Sequence, residues 1–545
     1  MFIVTTRVSR FAVFIPLAFY ATLMSRLHTL PGLTADGQIY LQIARNIRYG
    51  IGLGWQASWV PPLHSIMIAQ ISRLPGAQEL QFAAGIVALL MGALLAIATY
   101  FLAAAIFDRT TGVMASIVVS SFPHILDIHG NPEAEITYTA LLLVSLSLLL
   151  CTIRRTSWML AILTGASFSL AYMGRSEGFL VMLLSLATLS AIRWIRAHSF
   201  IPARLCLIIL VSFFITSSPY LYYLKQQYGA IVISPKASYV MIWMKSMVYH
   251  DNDKGEGTND ELWGLTPDGK LKWQQPSGIG DLARFLMSHP NKSLKVYLSN
   301  LLQEVPGRIP NASGGLHFPQ VFPVYVAILA VLASIKRWGE DSDIKKTVLF
   351  SPLLILFILP LFTAGWCKYL IPYSPLLIIA MCGGLLLNAE WIATRYVTNH
   401  PRNIAYLMVL AVIASLVAHY LYIFSPKPAG PPSGEDNWRS IYTREAHSAA
   451  RAARQQFGPG RNYMTPVWNK MTYDLDGLWT PRPLAGFDEV LRFAQGEKVD
   501  YIVEEVLDQE LTNNELRMTG RGLKLAGVYR SPQIAYLVAF YELPR

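Results

Sequence analysis

Apolar runs of roughly 18 to 25 residues recur along this chain, and a helix of that length crosses a hydrocarbon layer about 30 Å thick. About eleven are legible, at 11–28, 81–106, 113–126, 136–153, 158–174, 178–195, 205–224, 320–335, 347–364, 371–392 and 404–424. A chain of 545 residues with 53% hydrophobic and 14% charged residues is too apolar to be soluble. The expected fold class is therefore mainly α, a polytopic membrane protein. The first run, RFAVFIPLAFYATLMSRL, is long and lacks a small-residue cleavage site after it, so it reads as a retained anchor rather than a signal peptide.

Short loops rich in Lys and Arg stay in the cytoplasm. Arg7 and Arg10, Arg109, Arg154 and Arg155, Arg193, Arg196 and Arg204, Lys336 and Arg337, Lys345 and Lys346, and Arg395 and Arg402 fall on one side. That places the N-terminus in the cytoplasm and puts loops 29–80, 127–135, 225–319 and 365–370, with the tail, outside the inner membrane. The net charge of +11 then reflects topology, not a nucleic-acid partner. Cys151, Cys206, Cys367 and Cys382 lie in or beside the runs without metal-ligand spacing, and read as structural.

In the first outer loop, IYLQIARNIRYG has Ile39, Tyr40, Ile43, Ala44 and Ile47 on one helical face and Gln42, Arg45, Asn46 and Arg48 on the other. This predicts a helix ended by Gly50 and lying on the membrane with its apolar side down. Pro61 and Pro62 break the chain before a second short helix at Leu63. Loop 225–319 carries a predicted helix near DLARFLMSHPNKSLKVYLSNLLQEV. The linker SPKPAGPPSGED separates a module of residues 1–425 from a tail, 426–545, that reads as a small α/β domain. Its predicted helices are REAHSAARAARQQF and FDEVLRFAQGE; its predicted strands are NYMTPVW, VDYIVEE, LKLAGVY and AYLVAFYEL. It carries no phosphate loop and no nucleophile elbow.

Ionisable side chains collect at the outer ends of the runs: Asp36; His64; Asp127, His129, Glu133 and Glu135; Arg175 and Glu177; and Lys368. Such groups are costly near a bilayer unless partnered or functional. Each also has a plain structural reading. Asp36 suits a helix N-cap, Glu133 and Glu135 suit a first helical turn, Arg175 and Glu177 suit a mutual pair, and Lys368 suits the headgroup layer.

Taken in order, these features resemble the GT-C glycosyltransferases. They are an acidic residue after the first run, a surface helix, GxG, a PPL turn, an acidic loop between the third and fourth runs, R-x-E-G after the fifth, and basic-Tyr-x-x-Pro near the end. The branch most resembled is that of bacterial protein O-mannosyltransferases and the lipid A aminoarabinose transferase, over roughly residues 5–425. The resemblance implies inverting transfer of a sugar from a polyprenyl-phosphate donor to an acceptor outside the membrane, with Asp36 as general base. Arg175 and Lys368 would then bind the donor phosphate. Asp127, Glu133, Glu135, His64 and Glu177 would hold sugar or acceptor, or a divalent ion such as Mg or Mn. Relatives carry adjacent paired acids in the first loop, whereas Asp36 is followed by Gly37, so the resemblance does not extend to a metal requirement. The acceptor, whether protein, lipid or glycan, is not legible. A transporter or flippase of lipid-linked sugars is the alternative, disfavoured by the lack of an internal repeat; a scaffold ranks third. An oligosaccharyltransferase is a less fitting relative, since a WWD-type motif is absent.

Overall fold

The computed structural model describes residues 12–27, 35–123, 125–126, 132–197, 202–234, 264–272, 279–304, 342–358, 371–396, 401–424, 434–465, 475, 477–483, 485–506, 511–530 and 537–544. The chain forms two compact units. One comprises Met1–Gly32, Ala57–Pro235 and Ala283–Ser425; the other comprises Leu33–Gln56, Lys236–Leu282 and Pro426–Arg545.

Among the described residues of the first unit, five helices are long and apolar enough to cross a membrane: Leu80–Ile106, Glu135–Arg155, Glu177–Ile195, Ala203–Tyr228 and Ile371–Tyr396. Phe14–Ser25, Trp158–Gly174 and Asn403–Ala418 are apolar but shorter. The run expected at 113–126 is a 13-residue helix, Arg109–Ser121, begun by the Asp108 carboxylate accepting from the Thr111 N–H at 2.7 Å. The run expected at 347–364 is interrupted. Helix Ser342–Phe350 gives way to a 3-10 turn, Ser351–Leu354, and then to Ile355–Ile358, with Pro352 unable to donate a backbone bond. The run at 320–335 lies outside the described residues.

Small residues let these helices approach. A Cβ on Gly165 would sit 2.2 Å from the Ile209 carbonyl oxygen, so Trp158–Gly174 and Ala203–Tyr228 are in backbone contact there. Beside it the Ser212 hydroxyl donates to Ile162 O at 2.7 Å. Ser145 pairs with Ser167, and Thr152 with Thr164, each at 2.8 Å. The single helix expected in loop 225–319 is two, Ile279–Ser288 and Pro290–Glu304, because Pro290 cannot continue the first and is well suited to begin the second.

The second unit contains a sheet of β1 (Asn462–Thr465), β2 (Leu478–Pro481), β3 (Tyr501–Val506), β4 (Lys524–Arg530) and β5 (Leu537–Glu542) in the order β2-β1-β3-β5-β4. β2, β1 and β3 run parallel, and β5 is antiparallel to β3 and β4. Period-two alternation sorts the side chains onto two faces. Tyr463, Tyr501, Val503, Val538 and Phe540 pack with Ala446, Ala449, Ala450 and Ala453 of helix Gly434–Phe457. Met464, Ile502, Ala539 and Tyr541 pack with Val490 and Ala494 of helix Phe487–Gly496 and Met518 of helix Leu511–Thr519. Two of these elements escape the sequence reading: helix Leu511–Thr519, and β2, whose LWTP ends in a proline tolerated because the strand is at the sheet's edge.

The helix predicted in loop 29–80, Ala35–Arg48, belongs to this second unit. Gly50 follows it with φ 75°, and the Gly50 N–H bonds Ile47 O at 3.2 Å, the expected left-handed ending. The side expected to face away from the membrane is not open: Gln42, Arg45 and Asn46 are buried, as are Leu41, Ile43 and Ala44. The polar face is covered because it hydrogen-bonds to the sheet. The Gln42 amide donates to Gly477 O at 2.7 Å, and Asn46 donates to Gln56 at 3.3 Å.

Candidate active site

In the first unit three ionisable side chains converge from three chain positions. Glu135 opens helix Glu135–Arg155, Arg175 ends helix Trp158–Gly174 in extended conformation, and Glu177 opens the next helix. The Arg175 guanidinium donates through Nη1 to Glu135 Oε1 at 2.5 Å and through Nη2 to Glu177 Oε1 at 2.9 Å. Both acids occupy first turns, where the helix dipole favours a carboxylate. Arg175 and Glu135 are buried, and Glu177 is half-buried. The other oxygen, Glu135 Oε2, is buried with no hydrogen-bond partner among the described residues. A carboxylate oxygen so placed is a ready acceptor for a hydroxyl or amine.

One helical turn beyond Glu135, the Tyr138 hydroxyl meets that of Tyr373 at 3.0 Å, and both lie within electrostatic reach of Arg175 and Glu177. Tyr373 follows the Lys-Tyr-x-x-Pro stretch, so this bond ties that stretch's far end to the cluster's helix. Two residues along from Glu135, Thr137 Oγ1 meets His64 Nδ1 at 2.9 Å. His64 is fully buried, and desolvation lowers its pKa to about 3, so the imidazole is neutral.

Tyrosine hydroxyls also hold the backbone bordering this region. Tyr220 donates to Ala57 O at 3.1 Å, Tyr228 to Ser58 O at 2.8 Å and Tyr172 to Ile233 O at 2.6 Å. None of these, nor Tyr138 and Tyr373, is singled out by the sequence reading, which weighs charge and overlooks neutral aromatics. The spacing of Tyr138 three residues after Glu135, on one helical face, was the available signal.

The structure thus brings together Glu135, Arg175 and Glu177, with His64 on the neighbouring turn. Glu133 is half-buried in the segment preceding the helix. Asp127 and Lys368 lie outside the described residues. Asp36 lies in the first turn of helix Ala35–Arg48, inside the helix and not at the N-cap before it. Among the described residues no group of three or more His, Cys, Asp or Glu is arranged to hold a metal ion. The acids that do collect are already bonded to a guanidinium, which does not fit a divalent cation.

Residues 60–223, which contain this cluster, match the family described as dolichyl-phosphate-mannose-protein mannosyltransferase. No curated protein sequence matches the chain. The fold is similar to that of ArnT from Cupriavidus metallidurans bound to undecaprenyl phosphate, at TM-score 0.55 and 11% identity, covering 99% of this chain and 97% of that one. It is also similar to the Archaeoglobus fulgidus oligosaccharyltransferase in the apo form, at TM-score 0.56 and 12% identity over 94% and 70% of the two chains. The archaeal oligosaccharyltransferase AglB, in complex with an inhibitory peptide and a dolichol-phosphate, gives TM-score 0.56 at 13% identity over 95% and 70%.

Proposed function

We propose that this chain, a multi-pass membrane protein with the fold of the GT-C glycosyltransferases, transfers a sugar from a polyprenyl-phosphate donor to an acceptor outside the cytoplasmic membrane. The observation that carries the reading is the mannosyltransferase match over residues 60–223, the segment that holds the buried Glu135–Arg175–Glu177 cluster. The lipid phosphates named in two similar structures support a lipid-borne donor.

In the proposed reaction Asp36 is the general base. It takes the proton of an acceptor hydroxyl as that oxygen attacks the anomeric carbon, and the bond to the polyprenyl phosphate breaks on the opposite face, inverting the centre. The departing phosphate gains negative charge, which Lys368 neutralises. Arg175 joins it by releasing Glu177, the more exposed of its two partners, while keeping Glu135 in place. Glu135 Oε2 accepts from a sugar hydroxyl. The neutral His64, with Thr137, fixes the helix turn that carries Glu135. Asp127 and Glu133 are assigned to binding the sugar or the acceptor. In this reading residues 1–425 form the catalytic module, the N-terminus is cytoplasmic, and residues 426–545 are extracytoplasmic.

The test is transfer of radiolabelled sugar from polyprenyl-phosphate donors into cell-envelope acceptors, comparing wild type with Asp36→Asn at matched folded expression. Loss of roughly a thousandfold in rate is expected for removal of a general base. Labelling unchanged by Asp36→Asn would remove the assignment of the base.

A further inference from the structure

β2 is one of the two edge strands of the sheet, so alternate backbone groups along it face away from β1. The Leu478 N–H bonds Arg461 O at 2.8 Å, which turns the flanking carbonyls of Gly477 and Trp479 to the open side. Three side chains from the first outer loop cap those carbonyls. Gln42 donates to Gly477 O at 2.7 Å, Trp55 Nε1 donates to Trp479 O at 2.8 Å, and the Gln56 amide donates to the same oxygen at 3.2 Å. The Trp55 and Trp479 rings pack at 5.2 Å between centroids. Asn46 links helix and turn by donating to Gln56. All of these groups belong to one compact unit, and Gln42, Asn46 and Gln56 are buried. An apolar segment laid over this edge would leave the Gly477 and Trp479 carbonyls buried without donors. Covering it with three aimed donors also fixes direction and register.

We infer that Gln42, Trp55 and Gln56 are positioning residues that clamp helix Ala35–Arg48 to the β2 edge and so set where its first turn presents Asp36. This rests on the reading of Asp36 as the base. A 14-residue helix is a stiff rod, so fixing its middle and its exit fixes its beginning, and small misplacements of a catalytic group cost rate steeply. The C-terminal sheet is therefore a part of the catalytic apparatus that never touches substrate.

The test uses the full-length protein in lipid nanodiscs with a polyprenyl-phosphate sugar donor. Gln42→Met removes one donor at near-constant volume; Trp55→Phe removes another while keeping a ring against Trp479. Each should lower kcat about tenfold, leave KM for donor and acceptor within about twofold, and raise hydrogen exchange in residues 35–48. In an Asp36→Glu background the same substitutions should cost less than about twofold, because the two act through one group. Should Gln42→Met fail to fold, Trp55→Phe carries the same expectation. Unchanged kcat in clamp variants with raised exchange, while Asp36→Asn is inactive, would overturn the clamp and leave the proposed reaction standing. Full activity of Asp36→Asn would overturn the reaction's base, and the clamp with it.

Discussion

The two units face one requirement, that buried polar groups find partners, and meet it in different ways. In the span-bearing unit each helix satisfies its own backbone. Its hydroxyls fold back one turn, as Thr99 does to Leu95 O, Thr152 to Leu148 O and Ser217 to Phe213 O. In the sheet unit the backbone of an edge strand is left open, and its partners come from side chains 423 to 435 residues away in the chain. Local closure makes the first unit a set of rods joined by close contacts. Remote closure makes the sheet dependent on a segment of its own unit that lies at least 423 residues earlier in the chain.

Perturbing each kind of closure tests that contrast. The largest effect is expected where charge is buried among the rods. Arg175→Met leaves Glu135 without its cation in a buried site, a loss of about 3–5 kcal/mol, read as a fall in thermal unfolding temperature in detergent. Adding Glu135→Gln to that variant should recover part of it. Gly165→Leu drives a side chain into the Ile209 carbonyl and should cost about 3 kcal/mol or more by overpacking, seen as lost folded yield.

The sheet unit should respond less and more locally. A Cβ on Gly477 would lie 2.2 Å from Arg461 O, so Gly477→Ala should part β2 from β1 at a cost of about 1–3 kcal/mol. Raised hydrogen exchange confined to residues 461–465 and 478–481 would check it.

The last effect is nil at neutral pH and grows only as pH falls. His64 has its folded pKa lowered from 6.5 to about 3, so the unfolded chain binds the proton more readily. Its contribution to stability is complete above about pH 6.5 and is lost as pH falls toward about 3. His64→Asn should flatten unfolding temperature against pH between about 7 and 5; an unchanged slope would assign the acid sensitivity elsewhere.

The amino-acid sequence alone determined the class of fold, because a run of some twenty apolar residues has few ways to bury its backbone. It also located most helices of the first unit and four of the five strands. In these elements the signal is local: apolar length, the Asp108 cap, the Gly50 ending, and alternation through VDYIVEE and AYLVAFYEL. Arg175 and Glu177 were legible as a pair for the same reason, being two residues apart.

Only the tertiary structure decided that Glu135 shares that guanidinium, since its partner lies 40 residues on. It likewise decided that Tyr138 meets Tyr373, and that the polar face of helix Ala35–Arg48 is buried. A polar helical face reads as solvated in sequence because nothing nearby can bond it. Its partner is the open edge of β2, a strand four residues long that has no signal of its own. Periodicity reports which face of a segment is apolar, but what satisfies the other face is set by contacts that exist only once distant parts of the chain have met.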